Sequence, residues 1–65
     1  MEIIINNKKT EVRASSLSEL AQELQLPERG VAMALNQSMV QRTSWESAKL
    51  NDGDNVLIIK AACGG

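Results

Sequence analysis

The chain has no histidine, tyrosine or phenylalanine, and only one tryptophan, one cysteine and one proline in 65 residues. Each scarcity removes a class of function. With no histidine and with Cys63 as the lone thiol, the usual soft ligands of a zinc site cannot be assembled and no internal disulfide can form. Seven basic residues against eight acidic ones give a net charge of −1, without the clustered Lys and Arg that neutralise phosphates or the exposed aromatics on which bases stack. No nucleic-acid partner is expected. No apolar run approaches the roughly 20 residues that cross a bilayer, so no membrane partner is expected either. The start, Met1-Glu2-Ile3-Ile4-Ile5-Asn6-Asn7-Lys8, lacks the basic segment and small-residue cleavage site of a signal peptide, which makes a cytoplasmic location the expectation.

Size is a further limit. A domain this short buries only about 60% of the surface its unfolded chain exposes, and a pocket of roughly 300 Å³ or more that encloses a ligand is hard to wall off. A self-contained enzyme is disfavoured. There is no Gly-rich phosphate loop of the form G-x-x-x-x-G-K-[ST], so the chain is expected to bind no cofactor of its own.

What is present reads as an α+β domain. Ile3 to Ile5 is a β-branched run that stops at Asn6-Asn7, a pair tolerant of positive φ, and Thr10 to Ala14 reads as a second extended segment closing a hairpin. Strand alternation puts Met1, Ile3 and Ile5 on one face and leaves Ile4 on the other. Ser16-Leu17-Ser18-Glu19 fits a capping box, and Leu17, Leu20, Ala21 and Leu24 follow at helical spacing until Pro27 stops the helix and Gly30 permits a change of direction. Val31-Ala32-Met33-Ala34-Leu35 alternates large and small, predicting a strand with its large face buried and a close-packed neighbour on the small face. Met39-Val40 resumes the extended chain after Asn36-Gln37. Thr43 to Ala48 reads as a short helical turn anchored by Trp45, Asn51 to Asp54 as a turn, and Asn55 to Lys60 as the most apolar strand. One helix on one side of a mixed sheet leaves the other side bare, where Ile4 would join either Leu57 and Ile59 or Val56 and Ile58 in an apolar patch.

Residues 1–60 are thus expected to form the domain and residues 61–65 a flexible C-terminal tail. Fully extended, Ala61-Ala62-Cys63-Gly64-Gly65 spans at most about 16 to 18 Å, enough to carry the terminal carboxylate into another protein's active site. The α-carboxylate, with a reference pKa near 3.5, is ionised at neutral pH and can attack the α-phosphate of ATP where an enzyme positions both. A sulfur nucleophile can then displace AMP from the acyl adenylate. Glycine lets a narrow channel close around the backbone.

Ala34-Leu35-Asn36, Arg42, Trp45, the run Leu50-Asn51-Asp52-Gly53-Asp54-Asn55-Val56-Leu57-Ile58-Ile59 and the terminal Gly64-Gly65 together resemble the ThiS family of thiamine-biosynthesis sulfur carriers, over the whole chain. The resemblance implies a ubiquitin-like β-grasp fold. It also implies that Gly65 is adenylated by a ThiF-type enzyme using ATP and magnesium, takes sulfur from a persulfide donor as a thiocarboxylate, and yields it to a ThiG-type thiazole synthase. Ala62, Cys63 and Gly64 would run through the partner channel, with Ile4, Leu57, Ile59 and Arg42 as candidate partner surface. Two positions depart from the family pattern: Gln41 stands where proline often precedes the matching arginine, and Cys63 stands where no thiol is expected. Cys63 reads as an incidental thiol, since no neighbouring cation or helix N-terminus would lower its pKa. Trp45 reads as a core anchor and Arg42 as a solvated charge or a partner contact. The Asn51 to Asp54 segment lacks the spacing and the bidentate glutamate of a calcium loop. The alternatives are a MoaD-type carrier for molybdopterin synthesis, a ubiquitin-like modifier and a bare interaction module.

Overall fold

The structure, a computed structural model, describes residues 1–27 and 29–60. Five strands form one mixed sheet: β1 (Glu2–Ile5), β2 (Lys8–Glu11), β3 (Val31–Leu35), β4 (Ser38–Val40) and β5 (Asn55–Lys60), in the spatial order β2-β1-β5-β3-β4. The helix α1 (Leu17–Glu23) follows β2, and a 3₁₀ turn, Arg42–Ser44, follows β4. The neighbours β1 and β5 are parallel, β3 and β5 are antiparallel, and the outer pairs β1–β2 and β3–β4 are antiparallel hairpins.

Both hairpins turn on two residues in the left-handed region, Asn6 and Asn7 (φ 50° and 68°) and Asn36 and Gln37 (φ 50° and 73°). Consecutive positive φ values make the tight hairpin connection whose twist matches that of the flanking strands. The tightness of the first turn corrects the expected second strand. A two-residue loop brings Lys8 opposite Ile5 and carries pairing only to Glu11 opposite Glu2, so β2 spans Lys8–Glu11 and not Thr10 to Ala14. Val12 still donates to the Met1 carbonyl at 2.9 Å, after which Val12 and Ala14 turn into the core.

The Ser16 hydroxyl caps α1, accepting from the Glu19 amide at 3.2 Å. The reciprocal contact falls one residue before the expected place, because the Glu19 carboxylate accepts from the Ser15 amide (2.8 Å) and hydroxyl (2.7 Å). The other free amides of the first turn go to the segment after the 3₁₀ turn: Leu17 donates to Ala48 O and Ser18 to Trp45 O. The helix ends before Pro27 can act. Gln25 takes φ 56°, its amide bonds Gln22 O, and Leu26 reaches back to Ala21 O at 2.9 Å, the paired bonds of a Schellman cap with glutamine where glycine is usual.

Helix and sheet close on Ile3, Val12, Ala14, Leu17, Leu20, Met33, Trp45, Leu50 and Val56. Trp45 is an anchor in this core, as its sequence setting suggested, and its ring N–H donates to Val40 O at 3.0 Å. The helical turn at this point is shorter than Thr43 to Ala48, a 3₁₀ turn followed by hydrogen-bonded turns. No helix among the described residues is long and apolar enough to cross a membrane.

Candidate functional site

The chain leads toward its C-terminus along β5, the middle strand of the five. Along its β3 edge the pairing is unbroken from Val56 opposite Leu35 to Lys60 opposite Val31. Two asparagines fasten it, one on each edge. Asn36 donates its amide to Asn55 O (2.7 Å), accepts from Asn55 N through its side-chain oxygen (2.9 Å) and donates its side-chain nitrogen to Asp54 (3.1 Å). On the β1 edge, Asn6 donates its amide to Val56 O (3.0 Å), while its side chain accepts from Ile58 N (2.8 Å) and donates to Ile58 O (3.3 Å).

The turn before β5 is tied as firmly. Asp52 accepts from the Glu2 amide (2.8 Å), Gly53 donates to Glu2 O (2.8 Å), and Asp54 accepts from Asn51 N (2.8 Å). Both aspartates are spent on backbone amides, and Gly53 at φ 87° supplies the left-handed residue that the turn requires. No group of acidic or sulfur side chains able to hold a metal occurs among the described residues.

Register decides which residues share the bare face. Ile4 lies beside Asn55, Leu57 opposite Ala34, Ile59 opposite Ala32, and Met39 opposite Ala34. Ile4, Leu57 and Ile59 therefore point away from α1, while Val56 and Ile58 point toward it. Leu57 is 45% exposed, Ile59 44% and Met39 65%, so the patch is open to solvent. The small face of β3 belongs to this surface, and here the expectation of a close-packed neighbour fails. Ala34 is 6% exposed because Met39 and Leu57 flank it within the sheet, with no layer packed on top among the described residues. The result is a shallow alanine floor with apolar walls, bordered beyond Ile4 by Lys9 and by the Glu2–Glu11 pair.

Arg42 is not part of that face. Its guanidinium lies over the Trp45 ring, 4.8 Å from the centroid, beside an open hollow of about 440 Å³ lined by Ser18, Ala21, Gln22 and Gln25 of α1 and its cap. A second open hollow, about 470 Å³, lies between Asn6, Leu24, Leu26, Ile58 and Lys60. Both exceed the volume expected to be hard for so short a chain, yet each is a surface recess and neither gathers a catalytic constellation. The Glu19 carboxyl, which lines neither, is held below its ordinary range by the Ser15 amide and then by the Ser15 hydroxyl.

The residues expected to carry the chemistry, Gly65 with Ala62, Cys63 and Gly64, lie outside the described residues. The structure thus shows the platform and its last strand, with Ile4, Leu57 and Ile59 together on one side of it and Arg42 apart. The asparagine contacts to β5 went unread in the sequence. Their only signal is that each hairpin opens on Asn, where glycine would serve the backbone equally well.

Comparison with known proteins agrees with this geometry. The family model described as ThiS family matches residues 3–65. The sulfur carrier protein ThiS of Escherichia coli (strain K12) is 32% identical over 66 residues, with all of both chains covered. The crystal structure of the thiamine biosynthesis protein (ThiS) from Geobacter metallireducens superposes with a TM-score of 0.84 at 25% identity, again covering both chains completely. A solution NMR structure of a thiamine biosynthesis protein from the same organism gives 0.82 at 25% identity, covering all of this chain and 88% of that one. The five-stranded mixed sheet with its single α-helix is the β-grasp arrangement of these relatives, and the chain belongs to the ThiS family.

Proposed function

We propose that this chain is a sulfur carrier serving thiamine biosynthesis, with the C-terminal carboxylate of Gly65 as the attachment point. One observation carries the reading: the family match runs to Gly65, so the matched stretch includes the terminal Gly64-Gly65. The carrier is a substrate of other enzymes and not a catalyst. A ThiF-type enzyme joins the Gly65 carboxylate to the α-phosphate of ATP with magnesium present, and pyrophosphate leaves. A persulfide sulfur attacks the carbonyl carbon and AMP departs; a thiol then cleaves the acyl disulfide to free the thiocarboxylate. That sulfur passes to a ThiG-type thiazole synthase. Ile4, Leu57 and Ile59 form the docking face beside the last strand, and apolar side chains already presented on a hydrogen-bonded sheet give contact area at small ordering cost.

Intact-mass measurement after incubation with the adenylating enzyme, ATP and a persulfide donor tests this. Exchange of one oxygen for sulfur at Gly65 is expected. Persistent high-mass conjugates would instead mark a modifier, and an unchanged mass with active partners an inert module. Reconstitution with thiazole synthase against molybdopterin synthase then assigns the pathway.

A further inference from the structure

The two edges of β5 are held to different lengths. On the β3 edge, pairing continues to Lys60. On the β1 edge, the regular ladder is Ile4 beside Asn55 and Ile5 beside Val56, and β1 then turns away at Asn6. One more rung is made by a side chain. The Asn6 carboxamide presents a C=O and an N–H as a peptide unit does, and it bonds both backbone groups of Ile58 (2.8 and 3.3 Å). Glycine would fit φ 50° without strain and would leave Ile58 without that rung.

We infer, on the carrier reading above, that Asn6 is a positioning residue. Its side chain sets the point to which β5 is held on both edges, and so how much of β5 a partner must fix when it takes up Gly65. Ile59 and Lys60 keep the β3 edge alone. Removing the rung moves the end of the two-sided hold back to Val56. The partner then has to fix more backbone in the encounter, a cost borne on binding and not in the chemical step.

The test pairs Asn6→Gly with Asn6→Asp, which keeps an acceptor for Ile58 N but has no donor for Ile58 O. Amide exchange of the free carrier is expected to quicken at Ile58 in the glycine variant while Leu57 and Ile59, which face β3, hold their rates. The aspartate variant restores protection at Ile58. In carrier-dependent ATP–pyrophosphate exchange by the adenylating enzyme, the glycine variant should raise KM on the order of tenfold with kcat unchanged, and the aspartate variant should fall between. Quickened exchange at Ile58 with an unaltered KM would overturn the positioning role. So would equal quickening at Leu57, Ile58 and Ile59, the sign of general loosening. Wild-type carrier that supports no ATP–pyrophosphate exchange at all would remove the carrier reading itself, and this proposal with it.

Discussion

Single residues set the ends of α1, and two of them yield measurable consequences. Gln25 sits at φ 56°, where an L side chain costs about 1 kcal/mol against glycine, partly offset by glycine's greater freedom in the unfolded chain. Gln25→Gly should therefore stabilise the fold by about 0.5 to 1 kcal/mol in urea denaturation; a loss of stability would show that the Gln25 side chain contributes more than its backbone strain costs. Glu19 gives the pH counterpart. Its carboxyl is lowered from the usual 4.5 by the Ser15 amide and hydroxyl, so its contribution is present above the unfolded-state value and is lost as pH falls through the folded one. Glu19→Gln should lower stability near neutral pH, and the gap to wild type should close as pH falls through the lowered folded-state value. A gap independent of pH would mean that the hydrogen bonds do not depend on the charge.

At the scale of elements, the bare sheet face can be tested apart from folding. Because Leu57 and Ile59 are nearly half exposed, converting both to lysine should change stability by no more than about 1 kcal/mol, while affinity for the adenylating enzyme or the synthase falls at least about tenfold. Unchanged affinity for both partners would remove the face from the docking surface. How far such elements can be read from sequence follows from where their determinants lie. Ser16 and the Leu17, Leu20, Leu24 spacing are local, and so α1 is legible; the same holds for Asn55 to Lys60, whose apolar run ends at a polar boundary. The choice between Leu57 with Ile59 and Val56 with Ile58 was not legible, since it depends on β5 pairing with β1 so that Ile4 falls beside Asn55. Val12 and Ala14 misled for a related reason. Their alternation is that of a strand, but they are buried by a loop entering the core after β2 has ended. Asn6 was legible as a turn former and illegible as a clasp, because Ile58 is its partner only after the whole sheet has assembled.

For the whole molecule, the question is whether the domain and the proposed carrier residue can be separated. Among the described residues, the pairing that holds β5 runs to Lys60 and the core closes on side chains from Ile3 to Val56. Removing Gly65 should leave denaturant stability within about 0.5 kcal/mol of wild type. It also leaves the terminal carboxylate about 3.5 Å short of its reach, more than the tolerance of an attack geometry in which reacting atoms lie about 3 to 3.5 Å apart. The shortened chain should therefore still bind its adenylating partner yet gain no sulfur in the intact-mass assay. Cys63→Ser separates the two ways in which this region could carry sulfur. If the carboxylate is the only acceptor, the serine variant exchanges oxygen for sulfur as wild type does. If it is adenylated but fails to take up sulfur, the thiol relays sulfur, and the site would extend from Gly65 to Cys63. Measured together, the deletion and the serine variant locate the acceptor at one atom or the other without disturbing the fold that presents it.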